Sequence, residues 1–79
     1  MRLDKYLKVS RIIKRRTVAN EVCDAKHVNV NGKPARASYD VKEGDVIEIT
    51  FGQKVTKYQV LNATEYATKE SASSMYKEL

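Results

Sequence analysis

The first apolar residues of the chain, Leu3, Tyr6 and Leu7, recur at i, i+3 and i+4. That is the spacing of one helix face, and it predicts a short helix over residues 3–9. Arg2, Lys5 and Lys8 repeat on the solvent side and give this helix a basic stripe. No helical period continues through Ser10 to Arg16, which reads as the turn into a second helix. Thr17 suits the N-cap of that helix, and Glu21 suits its first turns, where the positive helix end favours an acid. Val18, Ala19, Val22 and Cys23 then line a buried face, and the helix ends near Ala25.

After Lys26-His27 the period changes to that of strands. Val28 and Val30 alternate with Asn29, and Asn31-Gly32 is a strong signal for a type I′ hairpin turn. Pro34 restricts the return strand to an edge or a very short piece, because it has no N–H to give to a ladder. Lys42 to Asp45 is another turn. The strand VIEITF follows, with Ile47, Ile49 and Phe51 on one face and Glu48 and Thr50 on the other. Gly52-Gln53 reverses the chain into KVTKYQVL, where Tyr58 and Val60 alternate with Lys57 and Gln59. The predicted fold class is α+β: a helix-turn-helix pair packed on a small, mainly antiparallel sheet of about three to five strands. The domain is expected to span residues 1–62, with a C-terminal tail over 63–79. In that tail Ala72, Met75, Tyr76 and Leu79 follow i, i+3, i+4, i+7, so a last helical turn docking on the domain and a frayed end are both open.

Size narrows the function. A chain of 79 residues makes one small domain that buries only about 60% of its unfolded surface, with little room for a catalytic cleft. One cysteine, Cys23, on an apolar helix face, fits a buried thiol in a reducing compartment. One His and one Cys fall short of the three or four ligands of an ordinary metal site. The three glycines, Gly32, Gly44 and Gly52, are isolated turn residues and form no phosphate loop. No signal peptide, membrane-spanning run, cofactor site or small-molecule substrate site is visible, and the expectation is a cytoplasmic protein that is not an enzyme.

Charge changes the picture more than composition does. The net charge of +5 is divided unevenly: residues 1–36 hold ten Lys and Arg against Asp4, Glu21 and Asp24, a balance of +7. Residues 37–79 hold five Lys against seven acids, a balance of −2. Lys8, Arg11, Lys14, Arg15 and Arg16 fall between positions 8 and 16 with no acid among them. Such asymmetry points to a polyanion met by one end of the domain.

A DNA-reading helix-turn-helix fails on sign, because the second helix exposes Asn20, Glu21 and Asp24 where a recognition helix carries cations. A single-stranded partner calls for exposed aromatics to stack on, and Tyr6 and Tyr58 are assigned to the core. Structured RNA, read by shape and phosphate contacts, fits best. The candidate RNA-binding residues are Arg2, Lys5, Lys8, Arg11, Lys14, Arg15 and Arg16 on the first helix and turn. Lys26, His27 and Lys33 join them near the hairpin. The arginines offer the better phosphate forks. For His27, capping of the helix C-terminus and contact with nucleic acid both stay open.

These residues also carry a resemblance. Arg2-Leu3-Asp4, Arg16-Thr17, Ala19, Val28-Asn29-Val30-Asn31-Gly32 and Gly44-Asp45 occur in the order of the S-four-type RNA-binding domain, named for ribosomal protein S-four. The similarity covers about residues 1–51 and implies a helix pair on a small bent sheet, with an RNA face on the helices and the start of the hairpin. It singles out Arg2 and Arg16 as RNA contacts. That domain is usually appended to RNA enzymes such as pseudouridine synthases or a tRNA synthetase. Length and the sheet region make this chain similar to the stand-alone branch of the family in bacterial ribosome-associated quality control, related to small heat-shock RNA-binding proteins. The chain is expected to be a monomer, and the resemblance implies that it binds obstructed large ribosomal subunits. It would contact rRNA and peptidyl-tRNA together and stabilise P-site tRNA while a partner, RqcH, directs alanine tailing. The alternatives are an accessory RNA-binding domain acting in trans for an RNA-modifying enzyme or in ribosome assembly, and a generic nucleic-acid chaperone.

Overall fold

Helix α1, Leu3–Val9, buries Leu3, Tyr6 and Leu7 completely. Each contributes about 1.5–3 kcal/mol of apolar burial, which holds a helix of seven residues too short to persist alone. The computed structural model describes residues 1–64 and 69–79. Past α1 the chain turns at Arg11, whose φ is +63°. Ile13 is drawn into the core, its N–H donating to the Leu7 carbonyl at 3.0 Å.

Helix α2 runs Arg16–Asp24. It starts two residues earlier than a Thr17 cap requires: Arg15, in extended conformation, is the N-cap and makes no side-chain cap bond. Thr17 therefore lies inside the first turn. Ala19 and Cys23 are buried as expected, Val22 packs partly against the core, and Val18 is 38% exposed. The reason is rotational: Val18 stands one position, about 100°, around the helix from Ala19, turned away from the face that packs against α1.

Strands β1 (Val28–Val30), β2 (Lys33–Pro34), β3 (Val46–Phe51) and β4 (Lys54–Val60) pair antiparallel, with the helices against one face. The β1–β2 connection has two residues, Asn31 and Gly32, at φ +53° and +82°, the two positive values a type I′ turn demands. Asn31 then fastens this turn to the next. Its Nδ2 donates to Asp45 Oδ1, and its Oδ1 accepts from the Val46 N–H, both at 3.0 Å. Asp45 Oδ2 accepts from the Lys42 N–H at 3.0 Å and the Tyr39 hydroxyl at 3.2 Å. Ile47 and Ile49 are buried, whereas Phe51, on the same face, is 51% exposed because it sits at the tip of the β3–β4 hairpin.

The C-terminal pattern folds differently from a helix over 72–79. Helix α3 covers Lys69–Ala72 and stops. Ala72 and Met75 are buried, and β5, Tyr76–Glu78, joins the sheet beside β4. The order is β2-β1-β3-β4-β5. An unpaired β4 edge offers backbone donors and acceptors that an isolated helical turn cannot use, so the segment extends and pairs. Tyr58 and Tyr76 meet edge to face with ring centres 5.3 Å apart. No helix among the described residues is long and apolar enough to cross a membrane.

Candidate nucleic-acid interface

The helix pair is joined at its exposed corner by one buried carboxylate. Asp4 lies three residues before Leu7 on the inward side of α1, and only 2% of it is exposed. Its Oδ1 accepts from the Lys5 N–H at 2.8 Å and from Arg2 Nε at 3.2 Å. Its Oδ2 accepts from Arg16 Nε and Asn20 Nδ2, both at 3.3 Å, with Arg2 Nη2 at 3.5 Å. Burial by itself would raise the Asp4 carboxyl. The hydrogen bonds from Asn20, Arg16 and the Lys5 amide, with the Arg16 charge, outweigh it and hold the group below the usual carboxylate range. Arg2 and Arg16 themselves stay half exposed, at 52% and 49%. Two guanidinium groups, 14 positions apart in sequence, thus meet at one point. A cleft of about 370 Å³ opens beside them, lined by Asp4, Arg16, Thr17, Asn20 and Glu21.

The other sequence-identified residues lie on α1, on the turn into α2, at the α2–β1 junction and on β2. Lys5 follows Asp4 on α1, and Lys8 is exposed in its last turn, where a cation suits the negative helix end. Arg11, Lys14 and Arg15 are exposed along the turn leading into α2. Lys26, at φ +65°, and His27 are exposed where α2 gives way to β1. The His27 backbone is engaged, its carbonyl accepting from the Thr50 N–H at 2.9 Å. Lys33 is exposed on the outermost strand, β2.

Three residues of this surface escape sequence reading. Asp4 enters there only as an acid and as the end of the Arg2-Leu3-Asp4 motif, and Asn20 as an exposed position, although Asp4 shares the face of Leu7 and Asn20 stands one turn from Arg16. Arg36 is invisible to periodicity because it follows Pro34 in an irregular segment. The fold carries that segment against both helices: the Ala37 carbonyl accepts from the Asp4 N–H at 3.2 Å, and the Ala37 N–H donates to Asp24 Oδ1 at 3.4 Å. Arg36 and Lys26 consequently border one cleft of about 360 Å³, with Cys23, Asp24, Pro34 and Ala35. Cys23 is no nucleophile in this setting. Burial, with the Asp4 and Asp24 charges, pushes its thiol up to about 12.

A helix pair bearing an Arg-carboxylate-Arg corner, set on an antiparallel sheet, defines the class. The chain belongs to the S4 domain family, whose model matches residues 1–47. Its relatives are more particular than that. It is 54% identical over 76 residues to the RQC P-site tRNA stabilizing factor of Halalkalibacterium halodurans, covering 96% of this chain and 86% of the relative. It is 53% identical to the RQC P-site tRNA stabilizing factor of Bacillus subtilis, covering 96% and 88%. The fold is also similar to the trimeric structure of Vibrio cholerae Heat Shock Protein 15, with a TM-score of 0.89 and 26% identity, covering 100% of this chain and 81% of that one.

Proposed function

We propose that this chain is a non-catalytic RNA-binding factor of bacterial ribosome-associated quality control, which stabilises P-site tRNA on obstructed large ribosomal subunits. The observation that carries the reading is the joint seat of Arg2 and Arg16 on Asp4, which makes the helix corner a fixed cationic element. The names of the relatives at 53–54% identity support the biological setting.

In this proposal the N-terminal cations meet two RNAs, large-subunit rRNA and peptidyl-tRNA. Either contact alone is weak, and the second forms at high effective concentration once the first is made. Selectivity follows from needing both RNAs in one geometry. Such a clamp requires no cofactor and no reacting group. The protein acts as a cytoplasmic monomer, and RqcH is the partner whose alanine-tailing step benefits from the held tRNA. The candidate contacts are Arg2, Lys5, Lys8, Arg11, Lys14, Arg15 and Arg16, with Lys26, His27 and Lys33 beside the hairpin.

Co-sedimentation tests this reading. The wild-type chain is expected to pellet with large subunits carrying P-site tRNA and not with intact ribosomes, and Arg16→Ala is expected to release it at moderate salt. The variant is expected to remain folded, because Asp4 keeps Arg2, Asn20 and the Lys5 amide, and one lost charged contact costs about 1.5–3 kcal/mol. Undiminished pelleting of Arg16→Ala refutes the proposed surface.

A further inference from the structure

An acid at the centre of a surface that receives a polyanion is an electrostatic penalty. Asp4 sets a negative charge between the two arginines assigned to RNA, so by Coulomb's law alone its removal strengthens phosphate binding. The geometry gives it a different task. Oδ2 grips Arg16 at Nε, 3.3 Å away, and among the described residues Arg16 makes no other side-chain bond. Oδ1 grips Arg2 at Nε, 3.2 Å away, with a longer Nη2 contact to Oδ2 at 3.5 Å. A guanidinium is planar, so a partner at Nε leaves its terminal Nη donors for another anion. The carboxylate cannot wander, since Asn20 Nδ2 and the Lys5 N–H hold it from two further sides. Long side chains that are half exposed would otherwise lose much rotamer freedom on meeting RNA. Here that loss is taken when the protein folds.

We propose that Asp4 is a positioning residue: it clamps the inner edges of Arg2 and Arg16 so that their outer Nη groups form one fork, drawn from both helices, for a single phosphodiester of structured RNA. This rests on the RNA-binding reading above.

The test measures affinity of the full chain for purified large ribosomal subunits carrying P-site tRNA, at fixed salt. Asp4→Asn keeps the shape and removes the charge. Affinity is expected to fall about tenfold, a change typical of residues in one hydrogen-bond network, although simple electrostatics demands a rise. Arg2→Lys and Arg16→Lys preserve charge but cannot be held at one nitrogen while offering others, and each is expected to weaken binding similarly. In a chain already lacking both guanidiniums (Arg2→Ala with Arg16→Ala), compared at low salt, Asp4→Asn causes no further loss and only the Coulomb gain is left, a coupling that a purely structural role does not produce. Unchanged or tighter binding by folded Asp4→Asn, or full binding by both lysine variants, overturns the positioning role alone. Should Asp4→Asn fail to fold, the lysine variants, altered at half-exposed side chains, still decide. A wild-type chain that ignores the subunits overturns the RNA reading and this role with it.

Discussion

At the residue scale, Asp4 shows how a carboxylate stays ionised while almost wholly buried. Four donor groups, two of them cationic, replace the water it has lost. Its folded pKa is depressed below the unfolded value. The stability this supplies is therefore fully present above the ordinary carboxylate pKa and is lost as pH falls through the lower folded value. Thermal unfolding at pH 5 and at pH 3 checks this: the wild-type midpoint is expected to drop between them, and Asp4→Asn to show a smaller drop. The comparison with the variant is needed because Asp40, which accepts from the N-terminal amine at 2.7 Å, is lowered in the same sense.

At the element scale, short helices and strands are held by cross-ties more than by their own propensity. The Tyr6 hydroxyl donates to the Met75 carbonyl at 2.8 Å and so links α1 to the segment that leads into β5. That carbonyl also accepts from the Leu61 and Asn62 N–H groups. Tyr6→Phe leaves it satisfied and is expected to cost only about 1 kcal/mol, whereas Tyr6→Ala opens a cavity and costs about 3–5 kcal/mol. Urea unfolding of the two variants separates these cases. The same scale explains which elements were legible in sequence. Asn31-Gly32 specifies its turn because the required φ values are local, and Leu3, Tyr6 and Leu7 specify a helix face because their spacing is local. β5 was not legible: Met75, Tyr76 and Leu79 match a helical spacing, and only the bare edge of β4 makes an extended conformation better.

At the scale of the whole molecule, exposed cations are drawn from several elements of the N-terminal half. Cations from α1, the interhelical turn and the start of the hairpin are supplemented by Arg36, which the fold carries into the cleft beside Lys26. If about 5–7 phosphates are neutralised, affinity for subunits is expected to fall by roughly two to four orders of magnitude between low and moderate salt. Arg36→Ala is expected to reduce the slope of log K against log salt by about one, which titrations at several salt concentrations measure. An unchanged slope removes Arg36 from the interface.

The sequence by itself determined the α+β order of elements, the I′ hairpin, most of the core and the location of excess positive charge. Each depends on neighbours within a few positions: side-chain period, turn dihedrals, net charge of a short segment. Only the tertiary structure decided that Asp4 lies between Arg2 and Arg16, that Arg36 stands beside Lys26, and that the last residues complete the sheet. Those relations join positions far apart along the chain, and the energies that choose them, burial of a charge and pairing of a strand edge, have no local trace in the order of residues.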